Sequence, residues 1–383
     1  MQNFEYYNPT KIIFGEGEIA KLSELVPQTS VLILYGEGSI KRNGVYDQVI
    51  KALGNRKVFE VSGVKPNPTY EKAMEAVELI RKENIGFILA VGGGSVIDSA
   101  KFISLATFYQ GEAWDILTNR GLQFEKALPL GAVLTLPATG SEMNCFAVIS
   151  RGEDKLSFGN PLVFPKFSVL DPQVTFSLNE RQVGNGVVDA FVHVMEQYLT
   201  YPVNSPVQDR MAEAVLMTLI EEGPKTLKKT NDLESRSNLM WSASIALSSI
   251  LGVGVPQDWS THMIGHEITA FYGVDHARTL AIILPAMMWV MRNEKRKKLV
   301  QYGERVWKIK AATDEEVITG AIRKTTDFFE SMGLPTKFSG YQIKEEVIER
   351  VVARFESRGF EGMGENQQVK IPQIREVLKV ALQ

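Results

Sequence analysis

The sequence predicts an α/β domain built on a parallel sheet over residues 1–178, followed by a largely helical domain over residues 179–383. Three observations carry that prediction. In the first half, short β-branched runs alternate with amphipathic helical stretches, the pattern that winds a parallel sheet with helices on its faces. Two of those runs end in glycine clusters that lead straight into a helix. From Asn179 onward, apolar residues recur at about 3.6-residue spacing with few β-branched alternations. A length of 383 residues suits two domains, and no repeat or flexible linker separates them, so a cleft between the halves is expected.

Taken in order, VLILY (31–35) is a strand followed by Gly36-Glu37-Gly38-Ser39 and a helical stretch through Ile50. FILAV (87–91) is the next, followed by Gly92-Gly93-Gly94-Ser95 and the helix VIDSAKFISLATFY. Consecutive glycines let backbone approach a ligand without a Cβ in the way. The helix N-terminus behind them offers N–H groups and a positive dipole end to a phosphate, so both turns are candidate nucleotide-binding elements. AVLTLP (132–137) runs into the small, polar turn Ala138 to Glu142, and VFPKFSVLDP (163–172) reads as the last strand. The stretches 183–200, 206–229 and 232–250 then read as helices.

Composition narrows the function. Lys+Arg 42 against Asp+Glu 45 supplies no basic field for nucleic acid or an anionic membrane, which leaves a small-molecule partner. The single cysteine, Cys145, excludes a disulfide scaffold and any site needing several thiolates. The N-terminus lacks the features of a secretory signal. The longest apolar run, Leu280 to Met291, is short for a membrane helix and contains Pro285. A soluble, cytoplasmic protein is expected.

The four histidines are the residues with the most chemistry to offer. Asp189 and His193 stand four apart, hence one turn apart on one helix face, and His262 and His266 repeat that spacing. His276 follows just beyond Gly273, where the chain can fold back. Asp189, His193, His262 and His276 are therefore expected to hold one divalent metal, iron or zinc. One carboxylate would leave the site a net charge near +1, able to polarise a carbonyl or bind an alkoxide. His266 reads as a ligand, a proton carrier beside the metal, or a core histidine. A metalloprotease fails on spacing, since neither H-E-x-x-H nor H-x-x-E-H occurs.

The segments GGGSVIDSAK (92–101), TLPATGSEMN (135–144), GVVDAFVHVMEQY (186–198) and VPQDWSTHMIGHEITAFYGVDHARTLAIILP (255–285) resemble the iron-containing, or group III, alcohol dehydrogenases. The likeness is strongest to the butanol dehydrogenase and aldehyde reductase branch. It extends in order along nearly the whole chain. It implies a Rossmann-like NAD(P)-binding domain, an all-helical metal-binding domain, a dehydroquinate synthase-like two-domain architecture and a homodimer. It implies reversible hydride transfer between NAD(P)(H) and small primary alcohols or aldehydes, butanol and butanal being representative.

The resemblance carries the metal ligands onto Asp189, His193, His262 and His276, and places His266 close to the cofactor and outside the ligand set; His266 is then the catalytic candidate for relaying the proton to solvent. Gly92, Gly93, Gly94 and Ser95 match the pyrophosphate turn, and Asp98 matches a position near the nicotinamide and is expected to act with the catalytic residues as well as in cofactor binding. Thr135, Thr139 and Lys155 enter as cofactor contacts on the resemblance alone. Apolar Phe146, Leu251 and Trp259 are expected to favour an alkyl substrate. One departure matters. Where the branch usually has Gly-Gly-Gly-Ser, this chain has Gly36-Glu37-Gly38-Ser39. A carboxylate there favours a ribose 2′-hydroxyl, while Ser39, Lys41 and Arg42 could hold a 2′-phosphate, so NAD and NADP both stay open. The rival readings are a glycerol-type polyol dehydrogenase of the same superfamily and, in another class, a metal-dependent hydrolase.

Overall fold

The computed structural model describes residues 1–119 and 121–383. Strands β1 (Lys11–Phe14), β2 (Val31–Tyr35), β3 (Val58–Val61), β4 (Phe87–Gly93), β5 (Leu130–Leu136) and β8 (Phe167–Leu170) form one parallel sheet in the order β1-β8-β5-β4-β2-β3. A separate antiparallel hairpin pairs β6 (Phe146–Arg151) with β7 (Asp154–Gly159).

The sheet is buried on both faces, as a parallel sheet must be. Along β2 the residues alternate between two cores. Leu32 and Leu34 join Ile88, Ala90, Ala100 and Ile103 on one side, while Val31 and Ile33 join Leu89, Val91, Val45 and Val49 on the other. The helix Gly94–Ala106 covers the first face and the helix Val45–Leu53 the second. The helical stretch expected from 39 to 50 is two helices, Ser39–Arg42 and Val45–Leu53. Gly44 at φ +79° ends the first and starts the second.

The strand order fixes where a ligand can approach. From β2 the chain goes out to the edge strand β3, then returns past β2 to β4 and on to β5 and β8. Apart from β1, this is a doubly wound order whose switch point lies between β2 and β4. Register aligns Tyr35 with Val91, which brings the turn after β2 level with the turn after β4 at the carboxyl end of the sheet.

Contacts group Tyr7–Leu178 with Asn231–Ser248 as one compact unit, and Met1–Tyr6, Asn179–Thr230 and Ser249–Gln383 as another. The helix Leu233–Ala246, read in sequence as part of the helical block, thus groups with the sheet. There Ser244 donates to Glu142, Asn144 Nδ2 donates to the Leu247 carbonyl at 3.1 Å, and Trp241 packs edge-on to Phe14. The second unit is helical, with no named strand among the described residues. Its helices include Glu180–Tyr198, Pro206–Lys228, Ser260–Tyr272 and His276–Val290. Among the described residues no helix is long and apolar enough to cross a membrane.

Candidate metal and cofactor sites

Three helices of the second unit carry the histidines. Glu180–Tyr198 is started by a capping box in which Asn179 and Gln182 satisfy each other's backbone, and it buries both Asp189 and His193. Ser260–Tyr272 carries His262 and His266 and stops at Gly273, which takes φ +66° as a left-handed C-cap. Three residues later His276 opens the helix His276–Val290. Asp275, just before it, accepts from Arg181 Nε and Asn185 Nδ2, each at 2.8 Å. Arg181, Asn185 and Asp189 are spaced four apart, so these bonds draw the His276 end onto the helix face that presents Asp189.

The result is a compact donor set. One ligand atom each from Asp189, His262 and His276 lie within 4.8 Å of one another. His276 Nε2 is 3.8 Å from Asp189 Oδ1, and His193 Nδ1 is 4.0 Å from Asp189 Oδ2. The His193 and His262 rings stack with centroids 4.7 Å apart. Donors bound at about 2.0–2.2 Å to one ion are themselves about 3–4 Å apart, so the Asp189 carboxylate and the His262 and His276 imidazoles approach the spacing that a zinc- or iron-type ion needs, while His193, the fourth expected ligand, lies beside that group and not within it. His193 Nδ1 is buried with no hydrogen-bond partner among the described residues, a cost that an ion would remove.

Burial holds the His193 imidazole neutral, with its pKa pushed down to about 4, more strongly than Asp189 raises it. Neutral imidazole is the form that binds a metal. The folded value lies below the unfolded 6.5, so between these values the unfolded chain binds a proton that the fold does not. The metal-free protein is therefore expected to lose up to about 3 kcal/mol as pH falls from about 6.5 to about 4, with no contribution from this group above that window. Denaturant midpoints of wild type and His193→Gln across that range test it. A parallel pH dependence in both would remove His193 as the cause.

Glu196 escaped the sequence reading. Its Oε1 accepts from the His262 backbone N at 2.9 Å and lies 3.0 Å from His262 Nδ1. Burial first, and then the Asp258 charge, push its carboxyl well upward. A carboxyl group hydrogen-bonded to Nδ1 orients the ring of a ligand histidine. The signal was present in spacing, since Glu196 stands seven after Asp189 and three after His193 on one helix. His266 lies at the edge of the cluster, its ring 4.9 Å from His276 and 6.3 Å from His262.

In the sheet unit, Gly36 to Ser39 follow β2 and Gly92 to Ser95 span the end of β4 and the start of its helix. Gly93 and Gly38 are the N-caps of the two helices and offer no side-chain oxygen to the first N–H groups, although Lys41 N in the shorter helix donates to the Gly38 carbonyl at 3.2 Å. That is the backbone chemistry a pyrophosphate needs. Gly94 has an internal reason as well. A Cβ there would sit 2.3 Å from Thr139 Oγ1, so Thr139 packs directly on the turn. Thr135 is half-buried near the end of β5. Lys155 Nζ donates to Asn67 Oδ1 at 3.1 Å, and Ser95 Oγ to the Pro66 carbonyl at 2.5 Å.

Asp98, expected among the catalytic residues, is half-buried and hydrogen-bonded to the turn after β5 and to the hairpin. Its Oδ1 accepts from Ser141 Oγ at 2.6 Å and its Oδ2 from Val148 N at 2.9 Å, while Ser141 N donates to Thr139 Oγ1 at 3.2 Å. Lys101, buried and with its pKa pushed down by burial to about 8, donates to Ser141 Oγ, Asn144 Oδ1 and the Phe146 carbonyl. Asp98 and Lys101 thus build the turn that carries Thr139. Glu37 is exposed. Lys41, four residues on, is engaged by Glu60 Oε2 at 2.9 Å and lies over the Tyr46 ring at 4.5 Å.

Comparison with known proteins places nearly the whole chain in one family. Residues 9–172 match the family described as iron-containing alcohol dehydrogenase, and residues 184–382 match its C-terminal domain. The NADPH-dependent aldehyde reductase YqhD of Escherichia coli is 50% identical, with all of both chains covered. A probable NADH-dependent butanol dehydrogenase of Bacillus subtilis is 42% identical over the same full coverage. The crystal structure of E. coli YqhD superposes with a TM-score of 0.97 at 49% identity, covering 99% of each chain.

Proposed function

Because the chain belongs to the iron-containing alcohol dehydrogenase family, and so is an oxidoreductase of that family, we propose that it interconverts small primary alcohols and aldehydes using NAD(P)(H) and one divalent metal. The observation that carries this reading is the donor set of Asp189, His262 and His276 within 4.8 Å, with His193 beside it. When bound, the metal would supply Lewis acidity toward the substrate oxygen and the nicotinamide would supply or accept the hydride.

The chain's own groups prepare that chemistry. Asp189 provides the one carboxylate of the donor set, and His193, His262 and His276 provide imidazole nitrogen. Glu196 holds the His262 ring through Nδ1, and Asp275 anchors the start of the His276 helix. His266 is the group assigned to pass the substrate proton toward solvent. The turns at Gly36–Ser39 and Gly92–Ser95 take the cofactor phosphates on backbone N–H groups. Thr135, Thr139 and Lys155 are assigned to the rest of the cofactor, and Asp98 is a positioning residue for the Thr139 turn. Purified protein tests the proposal through its metal content, its oxidation of NADH and NADPH with butanal and other short aldehydes, and, in the reverse direction, its reduction of NAD and NADP with butanol and with the polyol glycerol. Nicotinamide binding with no aldehyde-dependent absorbance change would sink it.

Cofactor choice has its own test at Glu37. Two like charges about 4 Å apart in water repel by about 1 kcal/mol, a factor of about five. With Lys41 engaged by Glu60, Glu37→Gly should raise the NADPH-to-NADH ratio of kcat/KM by about that factor. An unchanged ratio would leave Glu37 as a solvated loop residue with no part in recognition.

A further inference from the structure

We infer that Trp259 is a positioning residue for the metal centre, a strained turn holding its indole against the His262 and His193 imidazoles before any ion arrives. The inference rests on the metal-holding reading given above.

Trp259 adopts φ +67°, ψ 4° at the N-cap of the helix Ser260–Tyr272. A bulky aromatic residue in the left-handed region is a genuine outlier, since its Cβ crowds the following carbonyl. Glycine would take that conformation without strain. Such a residue persists where its surroundings over-determine it, and here they do so from both sides. Before it, Asp258 N donates to the Glu196 carbonyl at 2.9 Å, and the buried Asp258 carboxylate accepts from Ser260 N at 2.9 Å and from Lys295 Nζ at 2.6 Å. After it, Met263 N donates to the Trp259 carbonyl at 3.0 Å and His262 N donates to Glu196 Oε1. The indole itself is tethered, with Nε1 donating to Gln257 Oε1 at 2.9 Å.

What the strain obtains is the placement of one ring. The indole meets His262 edge-to-face, centroids 5.2 Å apart at 68°, and lies 6.2 Å from His193. Those two imidazoles stack on each other, so the indole is the third member of one aromatic group and restricts the rotamers of both. Imidazoles already fixed in place lose little freedom when an ion binds, which slows metal loss.

Wild type, Trp259→Gly and Trp259→Phe are each loaded with Zn²⁺ alone, freed of excess, and followed for zinc release to a chelator. Co²⁺-loaded samples report ligand geometry by absorbance, and melting of the metal-free proteins reports the fold. The Gly variant should release zinc about 10–100-fold faster, in the range seen when outer partners of metal ligands are removed, with an altered Co²⁺ spectrum and a metal-free melting temperature close to wild type. The Phe variant should restore slow release. Release from the Gly variant at the wild-type rate overturns the inference, as does a Phe variant that releases as fast as Gly. A wild-type protein that takes up neither Zn²⁺ nor Fe²⁺ overturns the metal reading itself.

Discussion

Replacing Asp189 by Ala is expected to strip the metal and abolish turnover while the sheet unit still binds nicotinamide cofactor. Asp189 is 3% exposed, supplies the only carboxylate of the donor set, and stands 3.8 Å from His276 and 4.0 Å from His193. Losing an outer partner of a metal ligand typically costs 10–100-fold in affinity or activity, so removal of a ligand itself should exceed about a hundredfold. His276→Ala should match it, because His276 is the sole donor from its helix. Asp189→Asn separates charge from shape, since it keeps the volume and one oxygen and loses the negative charge that offsets a dication. It should also fail to hold metal. The measurements are metal content after desalting, aldehyde-dependent NADH and NADPH oxidation, and cofactor binding by nicotinamide fluorescence. Full turnover from any of these variants without bound metal would show that the reaction does not depend on this donor set.

The parts of this arrangement that could be read from sequence are those encoded locally. β2 was legible because five successive apolar residues lie between turn signals, and all five are buried. β4 was legible only to Val91, because glycine is a poor strand former, yet the strand continues through Gly93 where the pairing with β5 shifts register. The short strands β1 and β3 went unread, since four residues at a sheet edge with part of their surface exposed leave little pattern. The hairpin β6–β7 does have a local signal, a Gly152-Glu153 pair between two six-residue runs. At the site, the i, i+4 spacing of Asp189 with His193 and of His262 with His266 is a local fact. The bonds that make those residues converge are not local. Asp275 reaches back 94 residues to Arg181, and no pattern at either end announces the pair. The helix Leu233–Ala246 groups with the sheet through Ser244 and Glu142, 102 residues apart, a relation equally invisible along the chain.

Lys295 is the most consequential of these long-range partners for stability, and Lys295→Met is expected to destabilise the helical unit by about 3–5 kcal/mol. The residue is 4% exposed, and its ammonium donates to Asp258 Oδ2 at 2.6 Å, to both Glu365 oxygens at 3.0 Å and to the Leu199 carbonyl at 2.6 Å. Burial alone would lower its pKa, and the Asp258 and Glu365 carboxylates reverse that, so the group stays charged. Burial likewise pushes the Glu365 carboxyl upward against the pull of Lys295. Methionine in place of the lysine keeps most of the stem and removes the one positive charge from two buried acids, which is the arrangement that breaking a buried pair makes expensive. At about 2–4 °C per kcal/mol for a unit of this size, the melting temperature should drop on the order of 10 °C. Adding Asp258→Asn and Glu365→Gln to Lys295→Met removes the stranded charges and should recover most of the loss, because the three side chains share one network and cannot act additively. A Lys295→Met protein as stable as wild type would mean the cluster is solvated in solution. A triple variant no better than Lys295→Met alone would mean that the lysine acts through packing, and that the buried acids tolerate its absence by taking up protons.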